Sequence, residues 1–216
     1  MTSDLTKSAF LTEAQKFSEI QSSCNESSLY GVTDGKKVGT YLEQKFNDYL
    51  EQSYTYVKGN AASGIDFPEL EVDVKTTSIR QPQSSCPFKS ARQKIFGLGY
   101  DLLIFVYEKS DNHPEKTSHL NIHHTIFVER QHTADYQMTR GILDILNREG
   151  NSDDLVAFML DRNLPVDDIE AYSIAGEILE HPPTQGYLTI SNALQWRLQY
   201  GRVIQKAGLV RGVMRL

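Results

Sequence analysis

The run Gly64-Ile65-Asp66-Phe67-Pro68-Glu69-Leu70-Glu71-Val72-Asp73-Val74-Lys75-Thr76-Thr77 decides how this chain is read. From Leu70 onward the even positions (Leu70, Val72, Val74, Thr76) are mostly apolar, and the odd positions (Glu71, Asp73, Lys75, Thr77) are polar or charged. Alternation with a period of two predicts a half-buried strand whose odd set faces outward together. Asp66 stands just across a Pro-containing turn from that face. Grouped carboxylates repel one another unless a cation bridges them. Two acids and a lysine aimed into one small space therefore read as a divalent-metal site with a positioned proton handler.

Outward from this hairpin, helical spacing predicts a helix over 38–56, with Val38, Tyr41, Leu42, Phe46, Tyr49 and Leu50 on one stripe and Gly39 allowing a close neighbour. An earlier helix is predicted over 5–20, with Thr12 and Glu13 as start signals, and 21–37 is a Ser-, Asn- and Gly-rich loop. Downstream, 79–88 is polar and Pro-interrupted, and 88–96 suits a short helix stopped by Gly97-Leu98-Gly99. The nearly continuous apolar run 100–108 predicts a central strand covered on both faces. Residues 109–118 read as a hairpin loop and 120–129 as another strand. Helices are predicted over 135–147, 153–160, 167–179 and 189–205, the last with Ser191 as N-cap. The expected fold class is α/β: a mixed central β-sheet flanked by helices. The expected organisation is a core over 1–148 with N-terminal helices, and a mostly helical C-terminal region, 149–216, packed on it for DNA contact or dimerisation.

Bulk properties narrow the class. A chain of 216 residues with 39% hydrophobic and 23% charged content is ordinary for a soluble globular protein. No run approaches the ~18 apolar residues of a membrane span. The start, Met1-Thr2-Ser3-Asp4-Leu5-Thr6-Lys7, lacks the basic and apolar segments of a signal peptide, so the expected location is cytoplasmic. The two cysteines, Cys24 and Cys86, stand apart without a CxxC spacing and are expected to be free thiols. A net charge of −6 argues weakly against a nucleic-acid partner, but its distribution is uneven. Lys75, Arg80, Lys89, Arg92 and Lys94 fall between Val74 and Tyr100 with no acid among them. Arg197, Arg202, Lys206, Arg211 and Arg215 fall between Gln195 and the C-terminus, again without an acid. Between Glu149 and Glu180 nine acids face Arg162 alone. Such polarisation is compatible with one positive and one negative face.

Asp66, Asp73-Val74-Lys75 and the preceding helix with Gly39-Thr40-Tyr41-Leu42-Glu43 resemble the PD-(D/E)XK nuclease superfamily, which includes type II restriction endonucleases and mismatch-repair nicking enzymes. The resemblance spans roughly residues 36–130. Its first motif departs from the name, because Ile65 rather than proline precedes Asp66 and the proline is Pro68. It implies that Asp66 and Asp73 bind Mg²⁺, with Mn²⁺ able to substitute. Lys75 would act at the scissile phosphate, and Glu43 would support the metal or a water. Glu71 reads as a peripheral acid on the same face, and Glu69 as part of the turn.

Several side chains are expected to meet DNA. Arg80, Gln81, Gln83, Ser84, Lys89, Arg92 and Gln93 form a donor-rich stretch after the motif. Arg197, Gln199, Tyr200 and Arg202 lie on the last predicted helix. Arg and Lys suit phosphates and guanine edges, and Gln suits adenine edges. His119 and His123 share a strand face but lack the further ligands of a zinc set. No P-loop or nucleophile elbow is present. The chain is thus expected to be a Mg²⁺-dependent type II restriction endonuclease, a homodimer cutting both strands of duplex DNA. The alternatives are a monomeric nicking or repair nuclease of the same superfamily, and a non-catalytic DNA-binding module on this fold.

Overall fold

The computed structural model describes residues 2–59, 64–86, 89–191 and 196–216. In chain order its elements are β1 (Ser3–Asp4), α1 (Lys7–Gln21), β2 (Asn25–Glu26), α2 (Gly35–Glu51), β3 (Tyr54–Thr55), β4 (Val72–Ser78), β5 (Gln83–Cys86) and α3 (Gln93–Phe96). They continue with β6 (Asp101–Asn112), β7 (Thr117–Val128), α4 (Tyr136–Leu146), α5 (Ser152–Asp161), α6 (Asp168–Glu180), β8 (Thr189–Ile190), β9 (Trp196–Gln199), α7 (Gly201–Lys206) and β10 (Val213–Arg215). The α/β class holds. Two compact units divide the chain, one of 1–84, 102–127 and 207–216, the other of 85–101 and 128–206. The division does not run at 148/149: the chain leaves the first unit after residue 84 and returns to it twice.

The first unit is built on a sheet of order β10-β7-β6-β4, with β2 paired antiparallel to β7. Strand β6 is its spine, with Leu102 through Val106 wholly buried. Leu103, Phe105 and Tyr107 join a core with α1 and α2. Helix α1 is capped by the Thr6 side chain, which accepts from Ala9 N–H, so the start lies before the Thr12 signal. Helix α2 starts at the Asp34 cap and buries Val38, Leu42, Phe46 and Leu50, a stripe at four-residue spacing. Phe46 meets Phe105 edge-on at 5.3 Å and Phe17 at 5.0 Å. Phe10 meets Phe67 at 4.8 Å. Such ring pairs add about 0.5–1.5 kcal/mol each beyond the area they bury.

Two expectations about this unit change. Residues 109–112 and 117–118 are strand, not loop. Polar contacts gather on Asp111 where the ribbon extends past the core: Ser118 Oγ of β7 donates across the strands to its Oδ1 at 2.6 Å, Lys109 of its own strand pairs with that oxygen, and Gly31 N–H donates to its Oδ2 at 3.1 Å. The odd face of β4 is also covered rather than outward: Asp73 and Thr77 are each 3% exposed. Alternation separates two faces of a strand without saying that one of them meets water.

In the second unit, Ile95 packs with Met138 and Ile142 of α4, Leu155 and Met159 of α5, and Ile174 and Ile178 of α6. Helices α4, α5 and α6 start at the Asp135, Asn151 and Asp167 caps. Asp135 also holds a strand, since its Oδ2 accepts from Ile190 N–H at 2.7 Å. The short α3 replaces the longer helix expected over 88–96; of that range, Phe88 lies outside the described residues.

The helix expected over 189–205 is corrected. Thr189 and Ile190 pair antiparallel with Gln199 and Leu198, and helix begins only at Gly201. Trp196 and Leu198 are buried while Arg197 and Gln199 are exposed, and Tyr200 is buried again. That period of two outweighs the helical spacing of Leu198, Val203 and Ile204. Leu194 lies outside the described residues. Strands β5, β9 and β8 form a three-stranded sheet.

Candidate active site

One turn sets the site. Pro68–Leu70 forms a single 3₁₀ turn with its proline at the start, where the missing N–H is harmless. Glu71 follows in the left-handed region (φ 55°), which reverses the chain. Phe67 and Val72 then exchange both backbone hydrogen bonds, Phe67 N–H to Val72 O at 2.9 Å and Val72 N–H to Phe67 O at 3.1 Å. Antiparallel register beyond that bridge puts Asp66 across from Asp73, on one face of the hairpin. Phe67 and Val72 point the other way, 1% and 0% exposed, into the aromatic core. The sequence signal was available: the two acids flank an apolar pair that closes the turn.

Asp66 is further fixed by Val74 N–H, which donates to its Oδ2 at 2.8 Å. Asp66 stands close enough to Asp73 to disfavour its ionisation. Lys75, two residues along β4, pairs through Nζ with Asp73 Oδ2 and donates to Val74 O at 3.4 Å. Its side chain keeps 23% of its surface exposed, against 4% for that of Asp73. Helix α2 brings Glu43 to the group, one position past the buried Leu42. A Cβ on Gly39 of the same helix would stand 3.8 Å from Thr76 Cβ, so the helix passes close to β4.

The electrostatics are strained. Burial pushes Glu43 up to about 7, with Asp66 and Asp73 adding to the effect and Lys75 opposing it. Burial and Asp66 likewise push Asp73 up to about 7, against the pull of Lys75. Burial would lower Lys75, but Asp73, Asp66 and Glu43 together raise it, so the ammonium stays charged. Removing the protons that burial holds on Glu43 and Asp73 would leave more negative charge than the one ammonium compensates, which suits a hard divalent cation. Among the described residues, no group of three or more His, Cys, Asp and Glu could by itself hold a metal ion. The Asp66–Asp73 pair offers the partial shell that Mg²⁺ accepts, since that ion keeps several waters and takes the rest from substrate phosphate.

The other expected residues lie elsewhere. Glu71 is exposed in the turn before β4 begins, not on the odd face of the strand, and Glu69 accepts from Val57 N–H at 3.3 Å. In the first unit, Arg80 and Gln81 are exposed just after β4, and Arg80 reaches Glu108 at 3.2 Å. Gln83 and Ser84 are half-buried at the start of β5. In the second unit, Lys89 is exposed. Arg92 pairs with Glu177 and lies over the Phe96 ring at 5.8 Å. Gln93 donates to Leu98 O at 3.2 Å and leaves its own buried Oε1 without a hydrogen bond. Arg197 and Gln199 are exposed neighbours on one face of β9. Arg202 stacks on the Tyr136 ring at 3.7 Å. Tyr200 is wholly buried, so it packs the core instead of offering a surface to DNA. Cys24 and Cys86 are not joined in a disulfide.

A Glu-bearing helix, a hairpin with Asp66, and a strand with Asp73 and Lys75 reproduce the element order of the PD-(D/E)XK resemblance. A family model described as Type II restriction enzyme NspV matches residues 4–215. The Type II restriction enzyme NspV of Nostoc sp. (strain ATCC 29411 / PCC 7524) is 68% identical over 210 residues, covering 97% of this chain and 96% of that protein. This chain belongs to the NspV type II restriction enzyme family. Enzymes of this class generally need a divalent metal ion. Among solved structures, tetrameric restriction endonuclease SfiI bound to cognate DNA covers 96% of this chain and 80% of its own, at 11% identity and a TM-score of 0.45. That likeness is too distant to carry a residue's role from one chain to the other. Among the described residues, no helix is long and apolar enough to cross a membrane.

Proposed function

We propose that this chain is a Mg²⁺-dependent, sequence-specific endonuclease of duplex DNA, acting in the cytoplasm as a homodimer with one active site per strand. The observation that carries the reading is the Phe67–Val72 bridge, which sets Asp66 across from Asp73 with Lys75 Nζ against the pair. Asp66 and Asp73 would hold the ion. When bound, Mg²⁺ would neutralise developing charge and make a bound water more acidic. Lys75 holds the scissile phosphate or the attacking water through its ammonium. Glu43, held near neutrality by burial, supports the water or the metal and can take up a proton. Water adds to phosphorus and one P–O bond breaks, leaving a phosphate monoester and a hydroxyl. Two-fold symmetry matches a short symmetric site and delivers one centre to each strand.

In this reading Arg80, Gln81, Gln83, Ser84, Lys89, Arg92, Gln93, Arg197, Gln199 and Arg202 remain candidates for DNA contact. Arg197 and Gln199 have the best support, because they are exposed side by side on a strand with no acid. A β-ribbon fits the major groove, where Arg reads guanine and Gln reads adenine. Incubation with supercoiled plasmid and Mg²⁺ tests the whole. Linear product at discrete sites supports the proposal. Nicked circles alone would favour a monomeric nicking enzyme, and intact DNA would favour a non-catalytic binding module.

A further inference from the structure

The peptide of Asp66 is held from its outer side by a residue with no side chain. Gly59 N–H donates to Asp66 O at 2.8 Å. A Cβ on Gly59 would overlap the Ile65 carbonyl oxygen and lie 2.9 Å from both Asp66 Cα and Asp66 O. All of these are backbone atoms, so no rotamer change relieves the clash. Gly39, also near β4, is different: its added Cβ would make ordinary contact with Thr76 Cβ at 3.8 Å. Two residues before Gly59, Val57 N–H donates to Glu69 Oε2 at 3.3 Å, so the segment 57–59 lies along the turn that carries Asp66.

We propose that Gly59 is a positioning residue for the active site: its bare α-carbon lets 57–59 lie flush against 65–66 and keeps the Asp66 carboxylate in register with Asp73. The inference rests on the reading that Asp66 holds the metal. Asp66 is fixed at three points: the Phe67–Val72 bridge beside it, Val74 N–H on its Oδ2, and Gly59 N–H on its carbonyl. A methyl group at position 59 breaks the third. The Asp66 backbone must then retreat by on the order of 1 Å, and a displacement of that size can lower a rate about 100-fold.

The test compares Gly59→Ala, Gly39→Ala and Asp66→Asn. Each is measured for single-turnover cleavage of phage DNA, for Mn²⁺ affinity by calorimetry, and for duplex affinity without divalent ions. Gly59→Ala should lose about 100-fold in rate and about 10-fold in Mn²⁺ affinity. Its duplex affinity should stay at the wild-type value, and raised Mn²⁺ should restore part of the rate. Gly39→Ala should behave as wild type. The inference is overturned if Gly59→Ala keeps wild-type rate and Mn²⁺ affinity, or if its duplex affinity falls in step with its activity. If Asp66→Asn cleaves normally, the active-site reading itself fails. If Asp66→Asn is inactive while Gly59→Ala is unimpaired, only the role of Gly59 fails. Should Gly59→Ala not fold, the wild-type amide carries the test: Gly59 N–H should be protected from exchange and its resonance should shift on Mg²⁺ titration. Free exchange with no response to Mg²⁺ would overturn the inference.

Discussion

Phe67 and Val72 face each other across a four-residue turn, exchange two backbone hydrogen bonds, and by that register hold Asp66 opposite Asp73. The pair is anchored in the core on one side and carries the acids on the other, so the site is as firm as the aromatic cluster beneath it. Val72→Ala should lower stability by about 2–3 kcal/mol, following the loss of a buried branched side chain. It should lower activity more than an equally destabilising change in the second unit, such as Ile142→Ala. Matched thermal melts and rates would check the comparison.

The raised carboxyls make the metal-free protein sensitive to pH. Glu43 and Asp73, with ordinary values of 4.5 and 3.8, are both pushed up to about 7. The folded chain therefore binds their protons more tightly than the unfolded chain does. The stability this contributes is present below the ordinary values and lost as pH rises through about 7. Each pKa unit corresponds to roughly 1.4 kcal/mol, so each group contributes on the order of a few kcal/mol. The melting temperature without divalent ions should fall across that window and level off above it. Asp73→Asn should flatten the decline. Added Mg²⁺ should raise the midpoint strongly at about pH 8 and little at about pH 5, since bound ligands must be deprotonated.

Lys75 compensates the carboxylates and, in the proposed function, also faces the substrate. Lys75→Met should lower the cleavage rate by on the order of 100-fold or more, because a charged donor to the phosphate is lost. It should also push the Glu43 and Asp73 titrations further up, because it removes the group that opposes their rise. Lys75→Arg should restore the carboxyl titrations better than the rate, since a planar guanidinium is not a compact ammonium. Carboxyl titration followed by NMR, alongside single-turnover kinetics, separates these effects.

Arg197 and Gln199 should matter to sequence preference rather than to chemistry. Replacing either with Ala should weaken discrimination by about 1–3 kcal/mol per base pair read. Non-specific duplex affinity should change little. Tyr200→Phe, at a buried position, should leave sequence preference untouched. Competition cleavage on cognate and singly mismatched duplexes would measure this. Unchanged discrimination in both surface variants would move base reading to other side chains.

The residues of the candidate site were legible because their chemistry is local. Asp66, Asp73 and Lys75 are fixed by a short hairpin and one strand, and period-two alternation is strong there. Glu43 required only the four-residue stripe of α2, which places it beside Leu42. Less legible was what covers each face. The same alternation that found β4 suggested an outward polar face, yet Asp73 is buried, and no local pattern reports what packs on a strand. At residues 196–200 the apolar positions satisfy both helical and strand spacing, and pairing with β8 decided for strand. The division into units was hidden because segments distant in sequence share one sheet, as β10 and β7 do. The role of Gly59 was invisible because it depends on a non-local backbone approach.

The central claim is that Asp66, Asp73 and Lys75 form the centre that breaks the phosphodiester bond. Its most direct test is Asp73→Ala compared with wild type on sequenced phage DNA in Mg²⁺, with fragment ends mapped and duplex binding measured on the same samples. Wild type should give discrete fragments cut in both strands at one short symmetric sequence. Asp73→Ala should bind duplex as well as wild type and cut on the order of 1,000-fold more slowly or less, reflecting several kcal/mol of lost charge stabilisation. Cleavage by Asp73→Ala at the wild-type rate and positions would contradict the account.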